Sequence, residues 1–246
     1  MLNPVLPWLR HSALPFLIAA GVPTAHAQVM QRELGDFDLK LGTTPSRTMA
    51  QGLVTPSTGT AVHGGLDLTH DSGFYVGQWA PSLGLSTDTT LEVDSYAGYK
   101  RKLNPSLGYE VGMIGYARPK VIDGDSHEVY AGLRVLGTRF GAALSSAIGS
   151  RASTLYADFG ALPLVGLGLS MKVTNYQLDT PYDLGDGGLV SGYNDWSMTV
   201  SRPWLGMDLN FVYTGSDLSG DRCAAYAGHN PECGGTFTLK AVRSFF

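Results

Sequence analysis

The chain has only two cysteines and no strong excess of charge of one sign. Its 246 residues carry 17 basic and 21 acidic side chains, a net charge of −4. So few cysteines exclude a small module held by several disulfides, and the missing basic surface argues against nucleic acid as a partner. Beyond residue 28 the chain also lacks the run of about 20 apolar residues that a membrane-spanning helix needs. These absences exclude three large classes of protein.

The first 27 residues have the three regions of a secretory signal peptide. Arg10 supplies the basic region, the apolar region runs from residue 13 to 22, and Ala25-His26-Ala27 forms a small-residue cleavage site. The apolar region is too short to cross a bilayer, so a helical anchor is the weaker alternative. We predict a cleaved Sec signal peptide over 1–27 and one mature domain over 28–246.

The mature chain alternates apolar residues with polar or small ones, in segments of about ten residues. In TTLEVDSYAGYK, Leu91 and Val93 fall on one face, whereas Glu92 and Asp94 fall on the other. Successive strand side chains point to opposite faces, so one face suits lipid and the other suits water. The pattern predicts an all-β fold, a transmembrane antiparallel up-and-down β-barrel in the outer membrane.

About twelve such segments are predicted as strands, an even number as in bacterial barrels. They cover residues 36–44, 60–70, 73–80, 89–99, 107–117, 126–136, 139–148, 152–161, 165–176, 194–202, 204–214 and 235–246. The links predicted to face outward are mostly long: 45–59, 81–88, 118–125, 149–151, 177–193 and 215–234. The periplasmic links between them are mostly tight. Such sorting of link length by side is typical of outer-membrane barrels and is not expected of a soluble β-sandwich.

The two predicted faces differ in chemistry. One is almost free of charge and is predicted to face lipid, with aromatic residues such as Tyr75 and Trp79 in girdles near the strand ends. The other is predicted to line the lumen with charged side chains: Asp67, Glu92, Asp94, Glu110, Glu128, Arg134, Asp158, Lys172, Asp208 and Lys240. Pairing between these acids and bases is their simplest role. The acidic excess predicts that an open pore favours cations or neutral solutes.

Cys223 and Cys233 both fall in the last predicted outward link. Behind a signal peptide, two such cysteines predict a disulfide. His229 lies between them and raises a metal site as the alternative, but the spacing matches no common zinc motif. We expect a disulfide and no metal.

His70-Asp71-Ser72 suggests a second alternative, because some outer-membrane barrels are lipid hydrolases with a His and a Ser two residues apart. Nucleophilic catalysis also needs a third group that orients the base, and no acid is predicted there. The tripeptide is predicted in a tight periplasmic turn. Loss of ester turnover on replacement of Ser72 by alanine would test this alternative.

Residues 59–81, GTAVHGGLDLTHDSGFYVGQWAP, followed by LEVDSYAGYK and LGYEVGMIGYARP, resemble the TorF porin family. In that family a Gly-Gly-Phe-Asp-type strand precedes a Gly-Phe-Tyr-x-Gly-x-Trp hairpin, and residues 64–67 and 73–79 are similar to these motifs. The arginine-led motif before that strand is replaced here by Gln51-Gly52-Leu53-Val54. The resemblance covers most of the mature chain. It implies an outer-membrane barrel with pore activity and supplies neither a substrate nor catalytic residues.

The function expected from these features is passive diffusion of small polar solutes through an outer-membrane porin, without catalysis or a cofactor. The expected partners are outer-membrane lipid, the solutes, and the barrel-assembly machinery, which would recognise the terminal Phe246. The oligomeric state stays open. The main alternative is a closed structural or adhesive barrel that acts through the links at 177–193 and 215–234. Single-channel recording would separate these two functions.

Overall fold

The computed structural model describes residues 30–43, 49, 63–83, 91–119, 121–122, 124–162, 166–185, 188–205, 207–226 and 233–242. The predicted signal peptide, most of the link at 45–59 and the C-terminal phenylalanines lie outside these residues. The one helix in the described part of the chain is a short 3₁₀ helix, Gly220–Ala225. It is not long enough to cross a membrane.

The described residues form thirteen strands in a single sheet. The strands are β1 Met30–Leu34, β2 Phe37–Gly42, β3 Gly64–His70, β4 Phe74–Leu83, β5 Leu91–Asn104, β6 Leu107–Ala117, β7 Ser126–Val135, β8 Thr138–Ala147, β9 Ser150–Leu162, β10 Leu167–Asp183, β11 Leu189–Trp204, β12 Met207–Ser216 and β13 Thr236–Val242. Each strand pairs antiparallel with the next one in the chain. The prediction of an all-β, antiparallel, up-and-down fold is confirmed.

Each of the twelve predicted strands has a counterpart, and one strand was missed. β1 pairs with β2 through a turn at Gly35, which has a φ of 65°. Its sequence, Met-Gln-Arg-Glu-Leu, carries charges on both faces and is exposed throughout. An alternation of apolar and polar residues is therefore absent from this strand, and its pairing with β2 is what defines it.

The prediction of a long outward loop over 177–193 is wrong. β10 continues to Asp183 and β11 starts at Leu189, so the two strands form an extended hairpin with a link at 184–188. A register shift between Gln177 and Tyr182 interrupts the ladder. Polar residues on both faces of this extension hide the period of two, which explains the misinterpretation.

Short and long links are sorted to opposite edges of the sheet, as predicted. Tight turns such as 71–73 and 105–106 occupy one edge, here called the turn edge. Backbone hydrogen bonds connect neighbouring elements along it, for example from Lys100 N to Gly73 O at 2.9 Å and from Leu136 N to Ser106 O at 2.8 Å. The opposite edge, the loop edge, carries most of the longer links, including 43–63 and 217–235.

The sheet curls around one face, here called the inner face. Along β6, Glu110 and Ile114 on this face are 0% and 1% exposed, whereas Val111 and Met113 on the other face are 47% and 55% exposed. A flat single sheet would expose both faces alike. The exposed outer face is the one predicted to contact lipid, and its apolar residues include Leu66, Val111, Met113, Val129, Leu133, Phe140, Leu144, Leu155, Met171, Met198 and Phe211.

Two glycines on neighbouring strands make room for tyrosine rings on the inner face. Gly98 on β5 stands opposite Gly112 on β6. Tyr75 lies over Gly98 and Tyr130 lies over Gly112, so closely that a Cβ on either glycine would collide with the tyrosine hydroxyl. Glycine is needed here because a ring must approach the backbone. The two tyrosines meet above this pair.

Candidate functional site

The strand register brings all ten charged residues predicted for the lumen to the inner face. The pattern is visible where Arg134 on β7 stands opposite Arg139 on β8, which in turn stands opposite Asp158 on β9. Glu128, two residues before Tyr130, points to the same side. The inner face is therefore the polar side of the sheet and the candidate functional site.

A buried polar network lies on this face across β4 to β7. The Tyr75 hydroxyl donates a hydrogen bond to Glu110 Oε1 at 2.7 Å and lies 2.7 Å from the Tyr130 hydroxyl. Lys100 Nζ lies 3.7 Å from Glu110 Oε2 and balances its charge. A fully buried carboxylate requires such partners because an isolated charge is costly to bury.

A second carboxylate is satisfied in the same way near the loop edge. Asp67 Oδ1 accepts a hydrogen bond from Thr69 Oγ1 at 2.9 Å, and Asp67 Oδ2 accepts one from the Tyr96 hydroxyl at 3.1 Å. Asp67 is only 1% exposed. Both carboxylates are therefore stabilised by hydrogen bonds within the inner face and not by contact with water.

Aromatic side chains fill this side of the inner face. The filling, here called the tyrosine cluster, consists of Met49, Tyr75, Trp79, Tyr96, Ile114, Tyr130 and Ala143. Tyr75 and Trp79 were predicted in the interfacial girdles, and that prediction is wrong, because they are 4% and 3% exposed on the inner face. Their position near a strand end did not reveal which face they occupy.

The inner face of β9 to β13 carries mostly short polar side chains, apart from Tyr156 and the stacked rings of Tyr176 and Tyr193 near the loop edge. Thr154 and Thr174 share a hydrogen bond at 3.1 Å between their hydroxyls. The register continues this row of small residues towards β13. The row and its neighbours include Ser170, Ser197, Thr199, Ser201, Asn210, Thr214, Thr236 and Thr238. Such side chains are short and bind water, so this side of the inner face leaves space beside the tyrosine cluster.

Three of the predicted acids form ion pairs with bases that sequence reasoning missed. Glu110 pairs with Lys100 as described, Asp158 pairs with Arg139, and Glu92 Oε2 accepts a hydrogen bond from Arg118 Nε at 2.8 Å. This hydrogen bond raises the pKa of the Arg118 guanidinium, which lies beyond the end of β6. Lys100 lies just past the end of its predicted strand, so a longer strand would have included it.

Two further predicted acids differ from these three. Asp94 and Glu128 each have a buried carboxylate oxygen without a hydrogen-bond partner among the described residues. Both lie towards the loop edge, near the beginning of β5 and β7. Arg134, Asp208 and Lys240 are exposed, and Lys172 is half-buried.

His70 and Ser72 are in contact, but the contact stabilises a turn. The His70 Nδ1 atom lies 2.7 Å from Ser72 Oγ and accepts a hydrogen bond from the Ser72 backbone N–H at 3.1 Å. In the described part of the chain, no carboxylate is hydrogen-bonded to this ring. The geometry lacks the third group that would orient a catalytic base.

The described residues of the loop at 217–235 pack over the end of the extended hairpin. Cys223 and Cys233 are joined by a disulfide, with a Cα–Cα distance of 5.6 Å. Cys233 and Leu218 pack with Val190 and Tyr193 of β11 in a small apolar core. His229, the third residue of the alternative metal site, lies outside the described residues. No cluster of metal-binding side chains occurs within the described ranges.

Removal of this disulfide should loosen the loop and leave the sheet intact. The bridge spans ten residues, and in the chain-entropy model closing so short a loop is worth about 2–3 kcal/mol. We expect Cys223→Ser/Cys233→Ser to be cut faster by a protease at 217–235, with unchanged β-sheet circular dichroism. Equal cleavage rates in both proteins would show that the packing of Leu218 alone holds the loop.

Comparison with known proteins gives one family and one fold neighbour. Residues 44–243 match a family described as "Bacterial protein of unknown function (Gcw_chp)". No curated protein matches the chain. A solved structure of the NanC porin in a rhombohedral crystal form is similar at 11% sequence identity and a TM-score of 0.44, covering 74% of this chain and 94% of that one. Similarity at this level carries no conclusion about function.

Proposed function

Because the chain belongs to a family of bacterial proteins of unknown function (Gcw_chp), which supplies no activity, we propose its function from its structure: an outer-membrane channel for passive diffusion of small polar solutes. The observation that carries this proposal is the division of one sheet into an exposed apolar face and a buried polar face. The family match leaves the resemblance to the TorF porins unconfirmed.

The exposed apolar face supports a location in lipid. Burying one Val, Leu, Phe or Met side chain is worth about 1.5–3 kcal/mol. If about a dozen such side chains on the outer face were in water, roughly 20 kcal/mol of favourable burial free energy would be lost. This loss is larger than the net stability of a typical domain. Contact with lipid removes this cost. The backbone N–H and C=O groups of neighbouring strands are hydrogen-bonded to one another within the sheet, as a membrane requires.

The inner face supports passage of polar solutes. Its β9 to β13 side presents short hydroxyl side chains between the turn edge and the Thr154–Thr174 pair, next to the filled tyrosine cluster. Three of its acids, Glu92, Asp94 and Glu128, lie towards the loop edge. The carboxyl groups at that end favour cations and neutral solutes over anions.

Single-channel recording in planar bilayers tests this proposal. We expect discrete conductance steps with a higher permeability for K⁺ than for Cl⁻, and a weaker preference in Asp94→Asn/Glu128→Gln because two of the three acids at that end are removed. Asp179→Asn is the matched control, since this exposed acid pairs with Arg151 away from the inner face.

Absence of conductance at every voltage would refute the proposed channel. It would favour the alternative, a closed structural or adhesive barrel. That alternative draws support from the tyrosine cluster, which narrows the lumen, and from the packing of Leu218 and Cys233 against β11. Anion preference in the unaltered protein would contradict the proposed selectivity while leaving a channel.

A further inference from the structure

Basic residues gather on the inner face at the turn edge, at the end opposite to Asp94 and Glu128. Lys102 on β5 stands opposite Gly108 on β6, which stands opposite Arg134 on β7. Arg134 in turn stands opposite Arg139 on β8. One cross-strand row therefore carries three cations, with a glycine between the first two.

Two of these cations have no acidic partner. Arg139 pairs with Asp158, and the nearby Lys100 pairs with Glu110. In the described part of the chain, neither Arg134 nor Lys102 forms an ion pair, and both are exposed. The cluster thus carries net positive charge after its acids are counted.

The pair of Arg134 and Arg139 is unfavourable on its own. Residues directly opposite each other in an antiparallel sheet have Cβ atoms about 5 Å apart, and like charges in this position are destabilising. An anion bound between the two guanidinium groups would attract both of them and so offset their mutual repulsion. The opposed placement of these two arginines is an observation independent of the charge count.

A cavity of about 350 Å³ lies within the cluster. It is lined by Lys100, Lys102, Gly108, Arg134 and Arg139, together with the turn that follows β5. Gly108 contributes no side chain, so the space between Lys102 and Arg134 stays open. The cavity has room for a small polyatomic ion and several of its waters.

We propose that this cavity, the oxyanion pocket, binds a dissolved phosphate or carboxylate. Guanidinium groups present planar forks that match two oxygens of such a group, and charge-assisted hydrogen bonds of this kind are the stronger ones. Lys100 and Lys102 add point charges on the opposite side. The proposal goes beyond the proposed channel, because binding in the pocket requires no conduction.

A phospholipid headgroup has the same phosphate chemistry but a different approach. Arg134 and Arg139 lie on the inner face, whereas the lipid-contacting apolar side chains of β7 and β8, such as Leu133 and Phe140, lie on the outer face. The pocket therefore faces the aqueous side of the sheet. This placement favours an ion from solution over a lipid.

Titration of the purified protein with inorganic phosphate, in a phosphate-free non-ionic detergent at low salt, tests the oxyanion pocket. We expect calorimetric binding and a higher melting temperature with phosphate. Arg134→Gln should weaken binding about tenfold, as loss of one charge-assisted hydrogen bond does. Without phosphate, Arg134→Gln should be at least as stable as the unaltered protein, since the repulsion with Arg139 is gone.

Arg151→Gln is the matched control, because it removes the same charge at the loop edge, where Arg151 pairs with Asp179. Equal phosphate affinity in the unaltered protein and in Arg134→Gln would overturn the proposal. So would stabilisation by anionic lipid nanodiscs but not by free phosphate, since that result assigns the cluster to a headgroup. Binding without conductance would refute the channel alone, and conductance without binding would refute the pocket alone.

Discussion

Truncation of Tyr75 to alanine should widen the proposed channel and raise its single-channel conductance. The Tyr75 ring fills the space above Gly98, and its hydroxyl connects Glu110 to Tyr130 at 2.7 Å on either side. Without the ring, water reaches the β4 to β7 side of the inner face. The substitution should also cost about 3–5 kcal/mol of stability, as aromatic truncations in cores do, because Glu110 loses its hydrogen-bond donor as well.

Tyr213→Ala provides the control for this prediction. Tyr213 packs against Phe237 on the outer face, with ring centroids 4.7 Å apart, so its loss removes aromatic area without opening the inner face. We expect conductance like that of the unaltered protein. A conductance increase of the same size in both variants would mean that general loosening of the sheet, and not the tyrosine cluster, controls the pore. Resistance to unfolding by urea measures the stability difference.

The second large effect is expected from a single methyl group at Gly112. A Cβ there would lie 2.7 Å from the Ala97 carbonyl oxygen and would collide with the Tyr130 hydroxyl. The carbonyl belongs to a paired strand and cannot move away. Gly112→Ala should therefore cost about 1–3 kcal/mol through overpacking, and displacement of Tyr130 should add roughly 1 kcal/mol for its lost hydrogen bond with Tyr75.

Gly115→Ala, three residues later in the same strand, is the matched control. Its added Cβ would meet only the Ser95 carbonyl oxygen, at 4.0 Å, and Gly115 lies on the outer face. Alanine should be tolerated there. The measurement is the temperature at which the folded, faster-migrating form is lost in unheated gel samples, and equal temperatures for the two variants would contradict the packing of Tyr130 on Gly112.

Most of the sheet could be predicted because it follows from a local rule. Wherever one face is apolar and the other polar, the alternation marks a strand, and β5 to β9 all obey it. The rule fails where both faces meet water. β1 is such a place. In the extension of β10 and β11, polar residues on both faces hide the alternation, although Val190 and Tyr193 are buried there. Pairing with a neighbour holds both segments in the sheet.

The candidate site could be predicted only in outline, since side-chain partners depend on register. Alternation places Glu110 and Asp158 on the inner face but does not reveal that Lys100 and Arg139 stand beside them. Nor does it reveal that two glycines come side by side beneath Tyr75 and Tyr130. Which strand ends meet is settled by turn lengths and small register shifts, and these act between segments far apart in the sequence.

The described residues form an odd number of strands, and this number fixes the relative direction of the first and the last strand. In an antiparallel meander each strand reverses direction, so the first and the thirteenth run the same way. A ladder between β1 and β13 would thus be parallel, with slanted hydrogen bonds and slightly less stability per residue. If the five-residue β1 swings aside, β2 instead meets β13 in the antiparallel sense. Such a ladder would close a ring of twelve strands and leave β1 outside it.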